Sequence, residues 1–197
     1  MSENNLRTQC IQLAFDELDQ GNIGALSLRA MARSLGVSHQ APYRHFVSKD
    51  DLMRCLRDEC FIHFAASLEA RPQGKHPWLN LRSMGVAYVQ YALDFPHRYR
   101  MMFEPLAAES NPDAGTLGHA QAAFLILRKQ LEAIKKSLPN NSRLDPQADA
   151  MFIWSCLHGL VSLLENPLTD TLPVRESVLK NLVEHVLNRL GDALGRA

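Results

Sequence analysis

The 197-residue chain has few cysteines, and none of them lies in a pattern that is typical of a metal site. The cysteines show no Cys-x-x-Cys spacing, and the histidines form no pair at i, i+4 and no cluster with cysteine. Structural zinc sites and redox motifs depend on such spacings. We therefore expect no metal site and no cofactor. We expect four reduced thiols that are buried as small hydrophobic side chains: Cys10, Cys55, Cys60 and Cys156.

Signatures of an enzyme are also missing. The sequence has no glycine-rich phosphate loop, and no carboxylate pair or ordered serine, histidine and aspartate set that would support catalysis. Cys156 and His158 come nearest to a nucleophile and its base, but at i, i+2 on a helix they point to different faces. We predict that the protein is not an enzyme.

Neither a targeting signal nor a membrane span is predicted. The chain opens Met-Ser-Glu-Asn-Asn, without a basic start and an apolar run, so no secretory signal is expected. The longest nearly uncharged apolar segment, residues 151–164, is too short to cross a bilayer. With 46% hydrophobic and 21% charged residues, the composition is typical of a globular protein. We expect a soluble cytoplasmic protein with no membrane partner.

No strand-like alternation occurs, and apolar residues recur throughout at helical spacing, which predicts an all-α fold. The Asp145-Pro146 pair is typical of an N-cap followed by proline at the first helical position. The predicted helices cover about 6–19, 28–35, 38–45, 48–70, 77–94, 96–103, a helix opening at 111–112, one opening at 145–146, and 173–194.

Residues 26–46 have the pattern of two short helices joined by a tight turn. Leu28, Met31 and Leu35 place an apolar face on the first helix. Ser27 stands at its N-cap position, and Gly36 stands where the chain must turn left-handed after the helix. The pattern predicts a helix-turn-helix.

The second helix of this pair carries mostly polar side chains, and Ser38 is expected to cap it. No acidic residue occurs from Gln20 to Lys49, whereas this stretch contains four basic residues: Arg29, Arg33, Arg44 and Lys49. Such a local excess of positive charge indicates a surface for DNA phosphates, although the formal net charge of the whole chain is zero. The polar residues of the second helix are Ser38, His39, Gln40, Tyr43, Arg44 and His45.

A further helix begins directly after this segment. Ser48 and Asp51 are spaced as a capping box. Lys49 and the free N–H groups of the helix start predict a cradle for a phosphate.

Residues 5–56 resemble the DNA-binding domain of the TetR family of bacterial transcriptional regulators. The resemblance rests on Ala-Met-Ala-Arg-Ser-Leu-Gly-Val-Ser followed by Tyr-Arg-His-Phe-x-Ser-Lys-x-x-Leu, in the order and spacing of that family. Ala30 departs from the pattern, because members often have an acidic residue there. The resemblance implies base-edge contacts from Arg29, His39 and Gln40, and phosphate contacts from Ser27, Tyr43, His45 and Lys49, with Ser38 and Arg44 on the same surface.

Trp154-x-x-x-His158-Gly159 is similar to the signature of a TetR C-terminal subfamily named after those residues. The resemblance implies an effector pocket, with Gly159 permitting a close helix crossing. The residues alone leave open that Trp154 and His158 are core residues, as methionines and aromatics at helical spacing usually are. The predicted pocket residues are Tyr88, Tyr91, Met102, Phe103, Phe124, Trp154, Leu157 and His158.

The last two long helices have broad apolar faces, which suit either a central place in one core or pairing with a second copy. The resemblance favours a homodimer. The expected organisation is a helix-turn-helix DNA-binding domain at 1–48, a connecting helix and linker at 49–74, and a helical effector-binding and dimerisation domain at 75–197.

The sequence thus predicts a repressor that binds a palindromic operator in double-stranded DNA and is released by an unidentified small apolar effector. Two alternatives stay open: a C-terminal domain that senses a protein partner or nothing, and an activator.

Overall fold

The computed structural model describes residues 3–71, 73–104, 114–140 and 142–195. All regular elements in these residues are helical, so the predicted all-α class is confirmed. The predicted helix start at residues 111–112 lies outside the described residues. The α-helices are α1 (Glu3–Asp19), α2 (Leu28–Ser34), α3 (Lys49–Ala70), α4 (Pro77–Asp94), α5 (Pro96–Phe103), α6 (Ala114–Ser137), α7 (Pro146–Leu164), α8 (Glu176–Lys180) and α9 (Leu182–Ala193); 3-10 helices cover Ile23–Ala25, Pro42–Arg44 and Pro167–Thr171.

The described residues divide into two compact units. The first unit consists of the described residues within Met1–Ile62 and Phe95–Ala120. The second unit consists of the described residues within His63–Asp94 and Gln121–Ala197. The core of the first unit contains Cys10, Ala14, Phe15, Leu28, Met31, Phe46, Leu52 and Leu56; the core of the second contains Phe64, Met84, Tyr88, Leu131, Ile134, Ile153, Leu157, Leu187 and Leu190.

Three predicted caps fix where helices begin. The Oγ of Ser27 accepts the N–H of Ala30 at 3.1 Å at the start of α2. At α3, the Oγ of Ser48 accepts the N–H of Asp51, also at 3.1 Å. Asp145 caps α7, where its side chain accepts two backbone N–H groups. Each cap satisfies donors that the first helical turn leaves without a partner.

The glycine predicted to end α2 has the expected backbone. Gly36 has φ +66°, a left-handed conformation that costs glycine no Cβ strain. The N–H of Val37 then bonds the carbonyl of Ala32 at 3.0 Å, the bond of a Schellman ending. The chain therefore reverses tightly after α2 and leads into the polar segment that follows.

The single helix predicted for residues 173–194 is wrong, because Asn181 divides it into α8 and α9. The Asn181 side-chain amide donates to the carbonyl of Ser177 at 2.8 Å. That carbonyl is the i−4 acceptor of the Asn181 backbone N–H, which bonds Val178 at 3.2 Å instead. Asparagine thus competes with its own backbone for a helical acceptor and interrupts the helix.

Candidate nucleic-acid interface and effector cavity

Residues 37–46, which we call the recognition segment, consist of turns and the 3-10 helix Pro42–Arg44. The predicted second α-helix of the helix-turn-helix is therefore wrong in form. Pro42 has no N–H to donate to Ser38, whose carbonyl accepts the N–H of Ala41 at 2.9 Å. The 3-10 helix begins after Ala41 without a side-chain cap, so the predicted cap by Ser38 is not formed there.

Two buried side chains anchor the recognition segment to the first unit. Pro42 and Phe46 are both fully buried, and the guanidinium of Arg7 lies 6.0 Å from the centre of the Phe46 ring. Because these anchors face inward, Tyr43 and Arg44 between them face solvent. Of the nine predicted DNA-contact residues, His45 and Lys49 are half-buried, and the exposed ones are Ser27, Arg29, Ser38, His39, Gln40, Tyr43 and Arg44.

Lys49 is engaged within the protein. Its Nζ donates to the carbonyl of Gly24 at 2.8 Å and so links the start of α3 to the 3-10 helix at Ile23–Ala25. Nearby, the Asp51 carboxylate accepts the N–H of Val47 at 2.9 Å and pairs with Arg54 at 2.9 Å. If Lys49 binds a DNA phosphate, its Nζ exchanges the hydrogen bond to the Gly24 carbonyl for one to the phosphate.

The second unit encloses a cavity of about 40 Å³. Its walls come from α3, α4, α6, α7 and α9, and both tryptophans of the chain, Trp78 and Trp154, line it. Of the predicted pocket residues, Tyr88, Trp154 and Leu157 lie on its walls. A water molecule needs roughly 10–15 Å³ of such space, so the cavity holds about three.

The other five predicted pocket residues lie elsewhere. Tyr91 packs edge-on against Phe64 behind the cavity wall, and Phe124 lies against Trp154 with ring centres 5.7 Å apart. His158 is half-buried on α7 and does not line the cavity.

Met102 and Phe103 belong to the first unit. Met102 is buried there, and the Phe103 ring lies 6.1 Å from Phe61 and 5.1 Å from Tyr99. Their helical spacing predicts that both face inward; Met102 lies in the core of the first unit, and Phe103 is half-buried at its edge.

Sequence reasoning missed Arg82, which lines the cavity and pairs with Glu184 of α9 at 3.0 Å. The sequence contained a signal for this residue, because Arg82 is the only basic residue in the mostly apolar helix α4.

The close helix crossing predicted at Gly159 is wrong within the protomer. A Cβ at Gly159 would meet nothing within 4 Å, whereas a Cβ at Gly85 would lie 2.3 Å from Cδ2 of Leu187. The close approach is therefore between α4 and α9, on the wall of the cavity.

Comparison with protein-family models identifies both halves of the chain. The model described as bacterial regulatory proteins, tetR family, matches residues 11–56, and the tetracyclin repressor-like C-terminal domain matches residues 81–188. The second match alone covers more than half of the chain. The chain belongs to the TetR family. No curated protein matches.

Solved structures agree with this fold. A TetR-family regulatory protein from Rhodococcus RHA1 has a TM-score of 0.66 at 19% identity, with 94% of this chain and 96% of that chain covered. The TetR-family regulator PfmR from Thermus thermophilus has 0.61 at 18%, covering 93% and 97%. A protein of unknown function from Rhodococcus sp. RHA1 has 0.75 at 22%, covering 96% and 93%.

TetR-family regulators bind DNA and act as dimers, and in this member α7 has an uncovered apolar face. The helix has 19 residues, five more than the apolar segment 151–164 noted in the sequence. By length and composition alone it is apolar enough to span a membrane. It packs on α4 and α9, yet only 28% of its apolar window is buried. Met151, Phe152 and Leu163 are exposed on it by 56, 44 and 51%. We call these residues, together with the exposed Gly159, the α7 face.

Proposed function

We propose that this TetR-family protein is a cytoplasmic repressor that binds a palindromic operator as a homodimer and is released by a small apolar effector. One observation carries the DNA-binding part: an exposed recognition segment, anchored at Pro42 and Phe46, within an acid-free stretch from Gln20 to Lys49.

Contacts to base edges are assigned to Arg29, His39 and Gln40. The Gln40 amide suits the N6 and N7 edge of adenine, and the Arg29 guanidinium suits the O6 and N7 edge of guanine. Each such pair contributes roughly 1–3 kcal/mol of discrimination between bases.

Contacts to phosphate are assigned to the hydroxyls and cations at the edges of the recognition segment, with Ser38 and Arg44 completing the surface. These contacts orient the protein on the duplex and carry no sequence information of their own. The phosphate ligands are Ser27, Tyr43, His45 and Lys49.

A second copy covers the α7 face in this proposal. The face exposes large apolar side chains on both sides of Gly159, whose missing side chain leaves room for a close approach. Two-fold pairing then presents two recognition segments to half-sites one helical turn apart, about 34–36 Å.

The cavity in the second unit is the effector site. A ligand lowers DNA affinity only to the extent that it prefers the conformation that does not bind DNA. Couplings of this kind are typically about 1–3 kcal/mol.

Selection of duplexes from a random pool by gel shift at moderate salt tests the DNA-binding part. Enrichment of a palindrome is expected, and a pool without any enriched palindrome contradicts it. In vitro transcription from the selected site then tests the sign of regulation, because a rise in transcript would favour an activator.

Filling the cavity tests the effector part. Leu157 lines the cavity, so Leu157→Trp should abolish release by any effector and leave operator affinity unchanged. The conservative Leu157→Met variant serves as the control. If both variants respond to effector equally, the cavity is not the sensor, and sensing of a protein partner becomes the better interpretation.

A further inference from the structure

We propose that the cavity of the second unit binds a small hydrophobic monocarboxylate, whose carboxylate is held by Arg82. This inference rests on the effector role proposed above and names the chemical class of the effector.

The chemistry of the wall points to a ligand with one charged end. Among the described residues that line the cavity, Arg82 alone carries a charge, and the others are aliphatic, aromatic or glycine. An apolar ligand body suits these walls, and the Arg82 guanidinium is the one charged group among them that can bind an anionic end of the ligand.

The present partner of Arg82 can be replaced. Its Nη2 pairs with one carboxylate oxygen of Glu184, which is 64% exposed, and Arg82 itself is 37% exposed. Ion pairs so open to water contribute little to stability. A guanidinium has five N–H donors in a planar fork, so a ligand carboxylate can bind it bidentately in place of Glu184.

The size of the cavity limits the ligand body. About 40 Å³ corresponds to roughly three water-sized spheres and is smaller than the roughly 150 Å³ of a rigid apolar cavity that holds benzene. Even a single aromatic ring therefore requires the flexible Met84 and Arg82 side chains on the wall to move outward. Larger ligands need pockets of about 300–1,000 Å³. Benzoate therefore represents the class better than a long-chain fatty acid or a polycyclic compound.

The chain contains its own reporter for binding. Trp78 and Trp154 are its only tryptophans, and both line the cavity. Titration of the full-length protein with benzoate should change tryptophan fluorescence saturably. Benzamide, which has the same shape without the charge, should bind at least about tenfold more weakly than benzoate. Acetate, which lacks the apolar body, should produce no saturable change.

Substitutions at the ion pair should act in opposite directions. Arg82→Gln should weaken benzoate binding by about 10- to 100-fold and leave benzamide binding unchanged. Glu184→Gln removes the competing carboxylate and should strengthen benzoate binding by about two- to fivefold. Arg128→Gln is the matched control, because Arg128 has a similar exposure, pairs with Glu132 and does not line the cavity.

Equal affinities for benzoate and benzamide, or weaker benzoate binding in Glu184→Gln, would overturn the assignment. So would the absence of any saturable change in the wild-type protein. Circular dichroism checks that each variant is folded; if Arg82→Gln does not fold, the ligand comparison and Glu184→Gln still decide the outcome.

A gel shift on the same preparations separates this inference from the proposed function. Failure of the ligand-free protein to bind any selected duplex would contradict the regulator function while leaving the fluorescence result intact. Benzoate binding without release of DNA would confirm the ligand class and contradict the effector role.

Discussion

Gly85 of α4 and Leu187 of α9 meet so closely that a Cβ at position 85 would lie 2.3 Å from the Leu187 Cδ2. No real Cβ contact is this short, so any side chain at position 85 forces Leu187 to move. Because both residues line the cavity, this crossing sets the local spacing of α4 and α9 and one wall of the proposed effector site.

Alanine at the two helical glycines should therefore have unequal effects. In Gly85→Ala the Cδ2 methyl at the flexible end of Leu187 must rotate away, and this displacement offsets part of a gain of roughly 1 kcal/mol in helix propensity. In Gly159→Ala no atom is displaced within the protomer, so the propensity gain should remain. Urea denaturation at low protein concentration measures both; a gain in stability in Gly85→Ala as large as that in Gly159→Ala would contradict the close crossing.

Lys49 and Gln40 should differ in how they affect DNA binding. Lys49→Ala should weaken binding to all duplexes and lower the slope of log affinity against log salt by about one. Gln40→Ala should relax the preference at one base position and leave the slope unchanged. Binding isotherms at several salt concentrations, on the selected site and on single-base variants, distinguish the two. Identical behaviour of the two variants would contradict the assigned roles.

The cap of α7 should make stability depend on pH in the acidic range. Backbone N–H groups of Gln147 and Ala148 donate to Asp145 and hold its pKa below the ordinary value of 3.8. Since the folded pKa is the lower one, the stabilisation is present above about pH 3.8 and is lost as the pH falls through the folded pKa.

Asp145→Asn keeps a capping oxygen without the ionisable group. Its melting temperature should match that of the wild type at neutral pH and should fall less steeply on acidification. Equal slopes for the two proteins below pH 4 would show that the carboxylate is not linked to folding.

Reaction of the cysteines with a thiol reagent should reveal the α7 interface. Cys156 lines an open groove between α7 and α9 with Phe152 and Val186, next to the α7 face. Burial raises the pKa of Cys156 and also that of Cys55, which serves as an internal reference in the first unit. Labelling at Cys156, located by mass spectrometry, should increase on dilution relative to Cys55. A constant ratio would contradict pairing through α7.

The other two cysteines should not react while the protein is folded. Cys10 and Cys60 are fully buried, and burial raises the pKa of Cys60 to about 12. Sequence reasoning treated all four cysteines alike, but Cys55 and Cys156 are only half-buried.

Local signals in the sequence predicted most of the helices and their starts. Ser27, Ser48 and Asp145 cap helices as expected, because a cap depends on residues within one turn of it. The two failures have local causes as well. Pro42 removes a backbone donor from the recognition segment, and Asn181 competes for the Ser177 carbonyl. Predicting these two helix interruptions requires counting the hydrogen-bond donors and acceptors residue by residue.

The composition of the cavity could not be predicted in this way. Helical spacing shows that Tyr88, Met102 and Trp154 face inward, but it does not show which core each one enters. Met102 belongs to the first unit, whereas Tyr88 and Trp154 line the cavity of the second. The position of Arg82 on the cavity wall was not predicted, because a charged residue on an apolar helix is usually exposed to solvent.

The acid-free stretch has a consequence for how the protein meets its target. From Gln20 to Lys49 there are four basic and no acidic residues, which leaves 17 basic and 21 acidic residues in the rest of a chain with no formal net charge. The stretch is therefore a local excess of positive charge in a chain whose formal charges cancel overall. Such a positive surface attracts the phosphates of duplex DNA before contact and favours approach by this side of the DNA-binding unit. Association should consequently slow as salt is added, even though the protein as a whole is neutral.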